Sequence, residues 1–240
     1  MGYVIAIDGP AGAGKSTIAR GVAERLRYVY IDTGAMYRAV ALWASRTQTG
    51  SSDAHKLEQL AISADIELLP LGRVRLNGED VTDAIRTPEI SALASQVASI
   101  GTVRAAMVLK QRRIAENASV VMEGRDIGTV VFPDARVKIF LDADPAERVR
   151  RRAVELPDEH PDTLASQIAE RDRRDRNRAE SPLLQAQDAT YLDSTGMTPQ
   201  QVEDAILKIV RERISNGRSH EKDADTATER TAGTATERKS

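Results

Sequence analysis

The sequence contains no cysteine among its 240 residues. Disulfide bonds, thiolate metal sites and cysteine nucleophiles are therefore excluded. Aromatic residues make up only 3% of the chain, which leaves little surface on which the bases of single-stranded nucleic acid could stack. Apolar residues make up 41%, enough for an aliphatic core, and the length predicts one domain with insertions.

The chain also carries little net charge, because 34 basic and 36 acidic residues give a formal charge of −2. This balance does not favour electrostatic binding to long nucleic acid or to an anionic membrane, so anion recognition should be local. The first apolar run is too short for a signal peptide or a membrane span, since Asp8 follows it closely. We expect a cytoplasmic monomer with no nucleic-acid or membrane partner.

Short β-branched runs alternate with helical patterns along most of the chain. The runs that predict strands are residues 3–7, 29–31, 120–122, 137–141 and 191–192. Strands that alternate with helices are typical of an α/β fold in which helices cover both faces of a mostly parallel sheet. A different pattern occurs at residues 66–81, which alternate in period two between turn signals and predict a small antiparallel insert.

These patterns predict a division of the chain into four parts. Thr-Ala-Thr-Glu-Arg occurs twice near the C-terminus, and this low complexity predicts a disordered tail. The predicted parts are a core nucleotide-binding domain (1–34, 114–149 and 165–215), a substrate-binding insert (35–113), a lid (150–164) and the tail (216–240).

A glycine-rich motif, GPAGAGKS at residues 9–16, matches the phosphate-loop pattern G-x-x-x-x-G-K-[ST]. A chance glycine-rich turn is the alternative, but the motif lies between a predicted strand and a predicted helix, as nucleotide binding requires. Lys15 is predicted to reach the β- and γ-phosphates of ATP, and the Ser16 hydroxyl to coordinate Mg²⁺. The predicted ATP-binding residues are Gly9, Pro10, Ala11, Gly12, Ala13, Gly14, Lys15, Ser16 and Thr17.

The motif alone does not distinguish a kinase from a GTPase or a motor ATPase. The guanine-reading string Asn-Lys-x-Asp is absent, and no apolar strand ends in Asp-Glu as in many motor ATPases. A small-molecule kinase remains, and its arginines must neutralise two phosphate-bearing ligands at once.

Arginines cluster where such ligands would bind. Arg38 and Arg125 each follow a predicted strand at the carboxyl edge of the sheet, and five arginines fall within residues 171–178. Helical spacing would place Arg171, Asp175 and Arg178 on one face, with the carboxylate between two guanidinium groups. The alternatives are a solvated helix arginine, an ordinary turn, and a salt-bridged surface helix or nucleic-acid patch.

A further group of arginines predicts a lid. Asp144 and Pro145 are typical of a helix start, and four arginines follow at positions 148, 150, 151 and 152. The polar, proline-bounded stretch 157–161 then suggests a mobile segment that delivers arginine to ATP and excludes water. His160 lies among acidic residues in this stretch, and we expect it simply to be exposed.

Four strings together resemble the bacterial cytidylate kinases: IDGPAGAGKST (7–17), DTGAMYR (32–38), GRDIGTVVFPDA (124–135) and RDRNR (174–178). The match runs in order from about residue 3 to residue 214. It implies a P-loop kinase fold and Mg²⁺-dependent transfer of phosphate from ATP to CMP and dCMP. Residues 155–163 depart from the family pattern, because this lid is shorter and more acidic.

The resemblance also implies roles for individual residues. Ser95, Arg104 and Asp126 would face the cytosine ring, where Asp126 can accept from the amino group and Arg104 can donate. The implied substrate contacts also include Arg38, Arg125 and Arg178 at the phosphate, Arg171 and Asp175 at the sugar, and Thr33. Lys15, Arg125 and Arg178 would carry catalysis by positioning and neutralising charge. The alternatives are a P-loop kinase for another nucleoside monophosphate, shikimate or gluconate, and a nucleotide-dependent RNA-binding protein.

Overall fold

A five-stranded parallel sheet forms the centre of the molecule in the computed structural model, which describes residues 2–214. The strands of the described chain are β1 (Val4–Asp8), β2 (Val29–Asp32), β3 (Ile66–Leu69), β4 (Arg73–Leu76), β5 (Glu79–Asp80), β6 (Val120–Gly124), β7 (Val137–Asp142) and β8 (Thr190–Asp193). In the main sheet the order is β2-β6-β1-β7-β8, and every neighbouring pair is parallel. The predicted parallel sheet is confirmed.

Helices flank this sheet, and several begin at residues whose side chains cap them. The helices are α1 (Lys15–Leu26), α2 (Thr33–Arg46), α3 (Ala54–Ser63), α4 (Pro88–Val97), α5 (Gly101–Ala115), α6 (Pro145–Glu155), α7 (Pro161–Asn177) and α8 (199–214). Asp32 accepts from the amide of Ala35 at the start of α2, and Asp144 accepts from that of Ala146 at the start of α6. These caps satisfy amides that the helix itself leaves unpaired.

The core lies on both faces of the sheet, as β1 illustrates. Ile5 and Ile7 point to one face and pack in a cluster with residues of α1 and α8. Ala6, between them, points to the opposite face and packs with residues of α2, α4 and α5. Because both faces are covered, β1 is apolar from Val4 to Ile7, as the sequence indicated.

The antiparallel insert is also confirmed, and it consists of β3, β4 and β5. Ile66 pairs with Leu76 in the register of β3 and β4. Val74 and Leu76 are buried on one side of this small sheet, which explains the alternation in the sequence. Helices α4 and α5 follow this small sheet. The predicted disordered tail, 216–240, lies outside the described residues.

The carboxyl ends of β1, β2 and β6 meet at one edge of the sheet. In the registers of these strands Asp8 pairs with Gly124, and Asp32 pairs with Glu123. The phosphate loop, the start of α2 and the Gly-Arg-Asp string therefore share this edge, where doubly wound sheets bind ligands.

Within residues 2–214, no individual helix has the length and apolar character needed to cross a membrane, although the bent pair α4 and α5 passes on length and composition together.

Candidate active site

A cleft of about 1040 Å³ opens at this edge of the sheet. Every substrate-binding residue that the sequence predicted lines it: Thr33, Arg38, Ser95, Arg104, Arg125, Asp126, Arg171, Asp175 and Arg178. From the phosphate loop, Ala11, Gly12, Gly14, Lys15, Ser16 and Thr17 also line it, whereas Gly9, Pro10 and Ala13 do not. The two predicted sets therefore belong to a single site.

Two glycines allow the phosphate loop to take its shape. A Cβ atom at Gly9, where φ is 154°, would lie 2.0 Å from the carbonyl oxygen of Leu141. Gly14 precedes α1 with a φ of 87°, a left-handed conformation that strains any residue with a side chain. The loop thus delivers its backbone to the start of α1, whose amides and dipole favour an anion.

Lys15 lies buried at the floor of this loop. Its Nζ atom donates to the carbonyl oxygen of Pro10 at 2.7 Å. Burial, together with the nearby charge of Arg125, lowers the pKa of Lys15 to about 7. A bound polyphosphate would favour the charged form again, so this amine is suited to an anion that enters the cleft.

A buried ion pair, which the sequence analysis did not anticipate, holds the tip of the phosphate loop. Asp172 of α7 accepts from the amide of Ala11 at 2.9 Å and pairs with Arg148 of α6. Arg148 also donates to the carbonyl oxygen of Ala11 at 3.0 Å. Arg148 is therefore engaged with the protein itself, so we do not expect it to reach ATP.

The predicted lid arginines beyond Arg148 line the cleft, and each has a partner in this structure. Arg150 pairs with Glu147 at 2.7 Å, and Arg152 pairs with Glu155 in the same helix. Arg151 donates to the carbonyl oxygen of Ala13 at 3.1 Å. The ion pairs of Arg150 and Arg152 lie within α6, so these side chains can exchange partners without unfolding the helix.

Asp175 contacts two of the arginines that the sequence predicted to bind the acceptor. It accepts from Nε of Arg125 at 2.8 Å, and Nη1 of Arg178 lies 3.9 Å from its other oxygen. Burial opposes a charge on Asp175, but Arg125 outweighs it and lowers the pKa of this carboxyl group. Helix α7 ends at Asn177, and Arg178 is its C-cap residue.

The acceptor arginines retain hydrogen-bonding capacity that the protein does not use. The Arg178 side chain is only 4% exposed, yet its Nε and Nη2 atoms have no partner, and neither do the buried Nε atoms of Arg38 and Arg171. Burial and the nearby charge of Arg125 lower the pKa of Arg171 to about 10. Guanidinium groups that repel one another and keep unused donor atoms in a buried setting indicate a site built for an anion.

Arg104 and Asp126 form a buried pair at the far end of the cleft. Arg104 Nη2 donates to Asp126 Oδ2, and Nη1 donates to the carbonyl oxygen of Ala98 at 3.0 Å. The guanidinium group lies 5.4 Å from the centre of the Tyr37 ring. Arg104 Nε and Ser95 Oγ are buried without a partner, so both remain available to a polar ring.

Sequence reasoning missed several buried residues at this edge. Asp8 and Glu123 are each 5% exposed, and neither was assigned a role. Glu123 accepts from the Tyr30 hydroxyl at 2.5 Å and lies beside Lys15 and Ser16. A carboxylate at the last or next-to-last residue of an otherwise apolar strand was the available signal.

Comparisons with known proteins agree with this geometry. A sequence profile described as "Cytidylate kinase" matches residues 5–212. The chain is 63% identical to a cytidylate kinase from Solibacter usitatus (strain Ellin6076), over 90% of this chain and 95% of that protein. It is 48% identical to a bifunctional pantoate ligase/cytidylate kinase from Synechococcus sp. (strain WH7803), where the alignment covers 88% of this chain but 45% of the relative.

Among solved structures, an uncharacterized protein from Eubacterium ventriosum ATCC 27560 superposes with a TM-score of 0.50. The match has 14% sequence identity and covers 86% of this chain and 96% of the other. At this identity the likeness shows the fold alone.

Proposed function

The chain belongs to the cytidylate kinase family, and from that membership we propose that it transfers the γ-phosphoryl group of ATP to CMP or dCMP, forming CDP or dCDP. The observation that carries this proposal is the convergence of the phosphate loop and all nine predicted substrate residues on one cleft. Two phosphate-bearing ligands fit such a site, with the donor over the loop and the acceptor among the arginines.

We propose that the CMP phosphate binds between Arg38, Arg125 and Arg178. The unpaired Nε and Nη2 atoms of Arg178 support this placement, because bidentate contacts from guanidinium groups suit a phosphate. Asp175 keeps Arg125 and Arg178 together despite their like charges. A phosphate oxygen can then attack the γ-phosphorus directly, without a protein nucleophile, and the enzyme contributes positioning and charge neutralisation.

We propose that the cytosine ring lies against Ser95, Arg104 and Asp126. The Asp126 carboxylate can only accept a hydrogen bond, and the cytosine amino group can only donate. Arg104 Nε and Ser95 Oγ, both without partners in the protein, can serve the ring acceptors. Arg171, buried beside the cleft, and Asp175 are the proposed contacts of the sugar.

The residues present also fit a Mg²⁺ ion that enters with ATP. Ser16 lines the cleft beside the Glu123 carboxyl group, so hard oxygen atoms are available there. Among residues 2–214 no group of three or more acidic or histidine side chains could hold a metal alone. Most ligands must therefore be phosphate oxygens and water. When bound, the ion neutralises charge on the β- and γ-phosphates.

Different ranges of the chain have different proposed functions. We propose that residues 35–113 act as the nucleoside monophosphate insert and that 150–164 act as the lid, because α4, α5 and α6 all contribute to the cleft wall. A cytoplasmic monomer that binds no nucleic acid remains our expectation. Light scattering after gel filtration tests the oligomeric state.

A coupled assay of ADP release with CMP, dCMP, UMP, AMP and GMP as acceptors tests the activity. We expect CMP and dCMP to be the best acceptors, and little ADP to be released from ATP when shikimate or gluconate is supplied as the acceptor instead. Faster turnover of AMP, UMP or GMP than of CMP would show that the acceptor site is assigned wrongly.

The variant Lys15→Ala tests whether the donor and acceptor sites are separate. This variant should lose phosphoryl transfer yet keep most of its CMP affinity in calorimetry, because Lys15 serves the ATP phosphates. A comparable loss of affinity for both nucleotides would contradict the proposed arrangement of the two sites.

A further inference from the structure

Asp8 is a buried carboxylate that the contacts described above do not use. It ends β1 directly before the phosphate loop and is 5% exposed. Oδ1 accepts from the amide of Ile127 at 2.9 Å, and Oδ2 accepts from the amide of Gly128 at 2.7 Å. One side chain therefore holds two consecutive amides of a segment more than 100 residues away.

The segment that Asp8 holds carries the acceptor contacts. Arg125 and Asp126 come immediately before Ile127, which begins a single π-helical turn over Ile127–Val131. The Asp126 backbone has a φ of −145° and a ψ of 24°, and its carbonyl oxygen accepts from Val130 and Val131. No side-chain cap fixes the start of this turn. The two bonds to Asp8 take that place.

Strand β1 thus fixes the backbone on both sides of the acceptor residues. Before them, Gly124 pairs with Asp8 in the register of β1 and β6. After them, Ile127 and Gly128 are bound by the Asp8 side chain. The positions of Arg125 and Asp126 between these points follow from the same residue, which also precedes Gly9 of the phosphate loop.

The charge of Asp8 is costly where it lies. Burial is the main cause that raises the pKa of Asp8 to about 6, and nearby Asp126 adds to the effect. The hydrogen bonds from the two backbone amides and the charge of Lys15 act in the opposite direction. An uncharged residue would avoid this cost. Carboxylates kept in unfavourable surroundings occur at functional sites, where positioning matters more than stability.

Building on the proposed function, we propose that Asp8 is a positioning residue for the acceptor. The two hydrogen bonds that it accepts from backbone amides fix the positions of Arg125 and Asp126, and those positions set the discrimination between CMP and UMP. Asp8 does not touch the nucleotide. It acts through the backbone of the Ile127–Val131 turn, and a displacement of that turn moves the group that reads the base.

The variant Asp8→Asn tests this role, because asparagine keeps the shape but places an amino group against one of the two backbone amides. We expect the ratio of kcat/KM for CMP over UMP to fall about tenfold, since catalytic groups misplaced by about 1 Å lose much of their effect. The KM for ATP should stay near the wild-type value. Equal slowing with both acceptors would overturn the proposal, because a merely structural defect lowers both rates together.

The control Ile7→Val separates positioning from loss of stability. Ile7 is the residue before Asp8 and is fully buried, so the shorter valine side chain should lower the melting temperature. It should not disturb the hydrogen bonds between Asp8 and the two backbone amides. Its CMP to UMP ratio should match the wild type. A ratio that falls as far as in Asp8→Asn would attribute the effect to general loosening of β1 and overturn the proposal.

Gly128→Ala changes the donor side of the same hydrogen bonds. It tests the positioning role if Asp8→Asn does not fold. An added Cβ atom would lie 3.1 Å from Lys138 Cδ and 3.4 Å from Asp8 Oδ2, so the turn or the Lys138 side chain must shift by a few tenths of an ångström. We expect the same fall in the ratio. An unchanged ratio in this variant would overturn the proposal. A wild-type enzyme that does not prefer CMP to UMP would instead contradict the proposed function.

Discussion

We expect Asp126 to discriminate between pyrimidines by hydrogen-bond polarity. A buried carboxylate facing uracil leaves two acceptors opposed, at a cost of about 1–3 kcal/mol or more. In Asp126→Asn the side-chain amide can donate to uracil, while one charge-assisted bond to cytosine, worth about 1.5–3 kcal/mol, is lost. Steady-state assays should therefore show the kcat/KM ratio of CMP over UMP reduced at least about tenfold, which corresponds to about 1.4 kcal/mol.

Asp134→Asn is the matched control for this change, because Asp134 is exposed in the same loop region and lies outside the cleft lining. It should leave the ratio unchanged. If Asp126→Asn slows both acceptors equally, Asp126 serves to orient Arg104, with which it pairs, and does not read the base.

Asp8 should also make the unfolding free energy depend on pH. Its pKa is raised in the folded protein, from 3.8 to about 6, mainly by burial. Its contribution to stability is therefore full below pH 3.8 and is lost as the pH rises through about 6. Asparagine does not titrate. Relative to wild type, Asp8→Asn should gain unfolding free energy between pH 4 and pH 7, by up to about 3 kcal/mol for a shift of about two units.

Urea denaturation of both proteins at several pH values across this window measures the difference. A constant difference would show that the Asp8 carboxyl group has the same pKa in the folded and unfolded chains.

At the scale of elements, α6 and α7 are joined to the phosphate loop by Arg148 and Asp172. Arg148→Ala would leave Asp172 buried without a counter-charge, which costs about 3–5 kcal/mol in comparable sites. Arg150→Ala is the matched control, because Arg150 lies on the same helix with a side chain 69% exposed. An exposed ion pair contributes under about 1 kcal/mol. Chemical denaturation should therefore show a large loss for Arg148→Ala and a small one for Arg150→Ala.

This difference bears on how the lid can move. Arg148 of α6 and Asp172 of α7 both bind Ala11, so we expect any closure of the proposed lid to involve the connection around Leu156 and His160. Similar stability losses in the two variants would mean that Arg148 is as free as the other arginines of α6.

At the scale of the whole molecule, the enzyme should not need its C-terminal tail. The family profile ends at residue 212, and the repeated Thr-Ala-Thr-Glu-Arg segment has no large apolar residue with which to pack. Truncation after Asn216 should leave CMP turnover and melting temperature unchanged. Truncation after Thr198 is the contrast, since it removes the buried Val202, Ile206 and Val210 of α8 and should abolish folding. A drop of more than a few degrees in the first truncation would contradict the prediction.

Local patterns were enough to predict much of the molecule. The phosphate loop, the parallel strands, the antiparallel insert and the capped start of α6 each depend on residues that are neighbours in the chain, so periodicity and turn chemistry reveal them. The strings around Arg38, Asp126 and Asp175 placed these residues in one acceptor site, and the structure brings all three to the same cleft. Their individual roles in binding stay predictions.

The sequence by itself therefore determined the fold class, the phosphate loop and nine of the residues that line the acceptor part of the cleft as we propose it. Only the tertiary structure decided which of them hold one another. Asp8 binds an amide 119 residues away, and Asp172 binds one 161 residues away, and neither contact leaves a periodic signal in the chain. The physical reason is that a buried carboxylate takes whichever donors the packed fold presents to it, and in this fold those donors are backbone amides that every sequence contains.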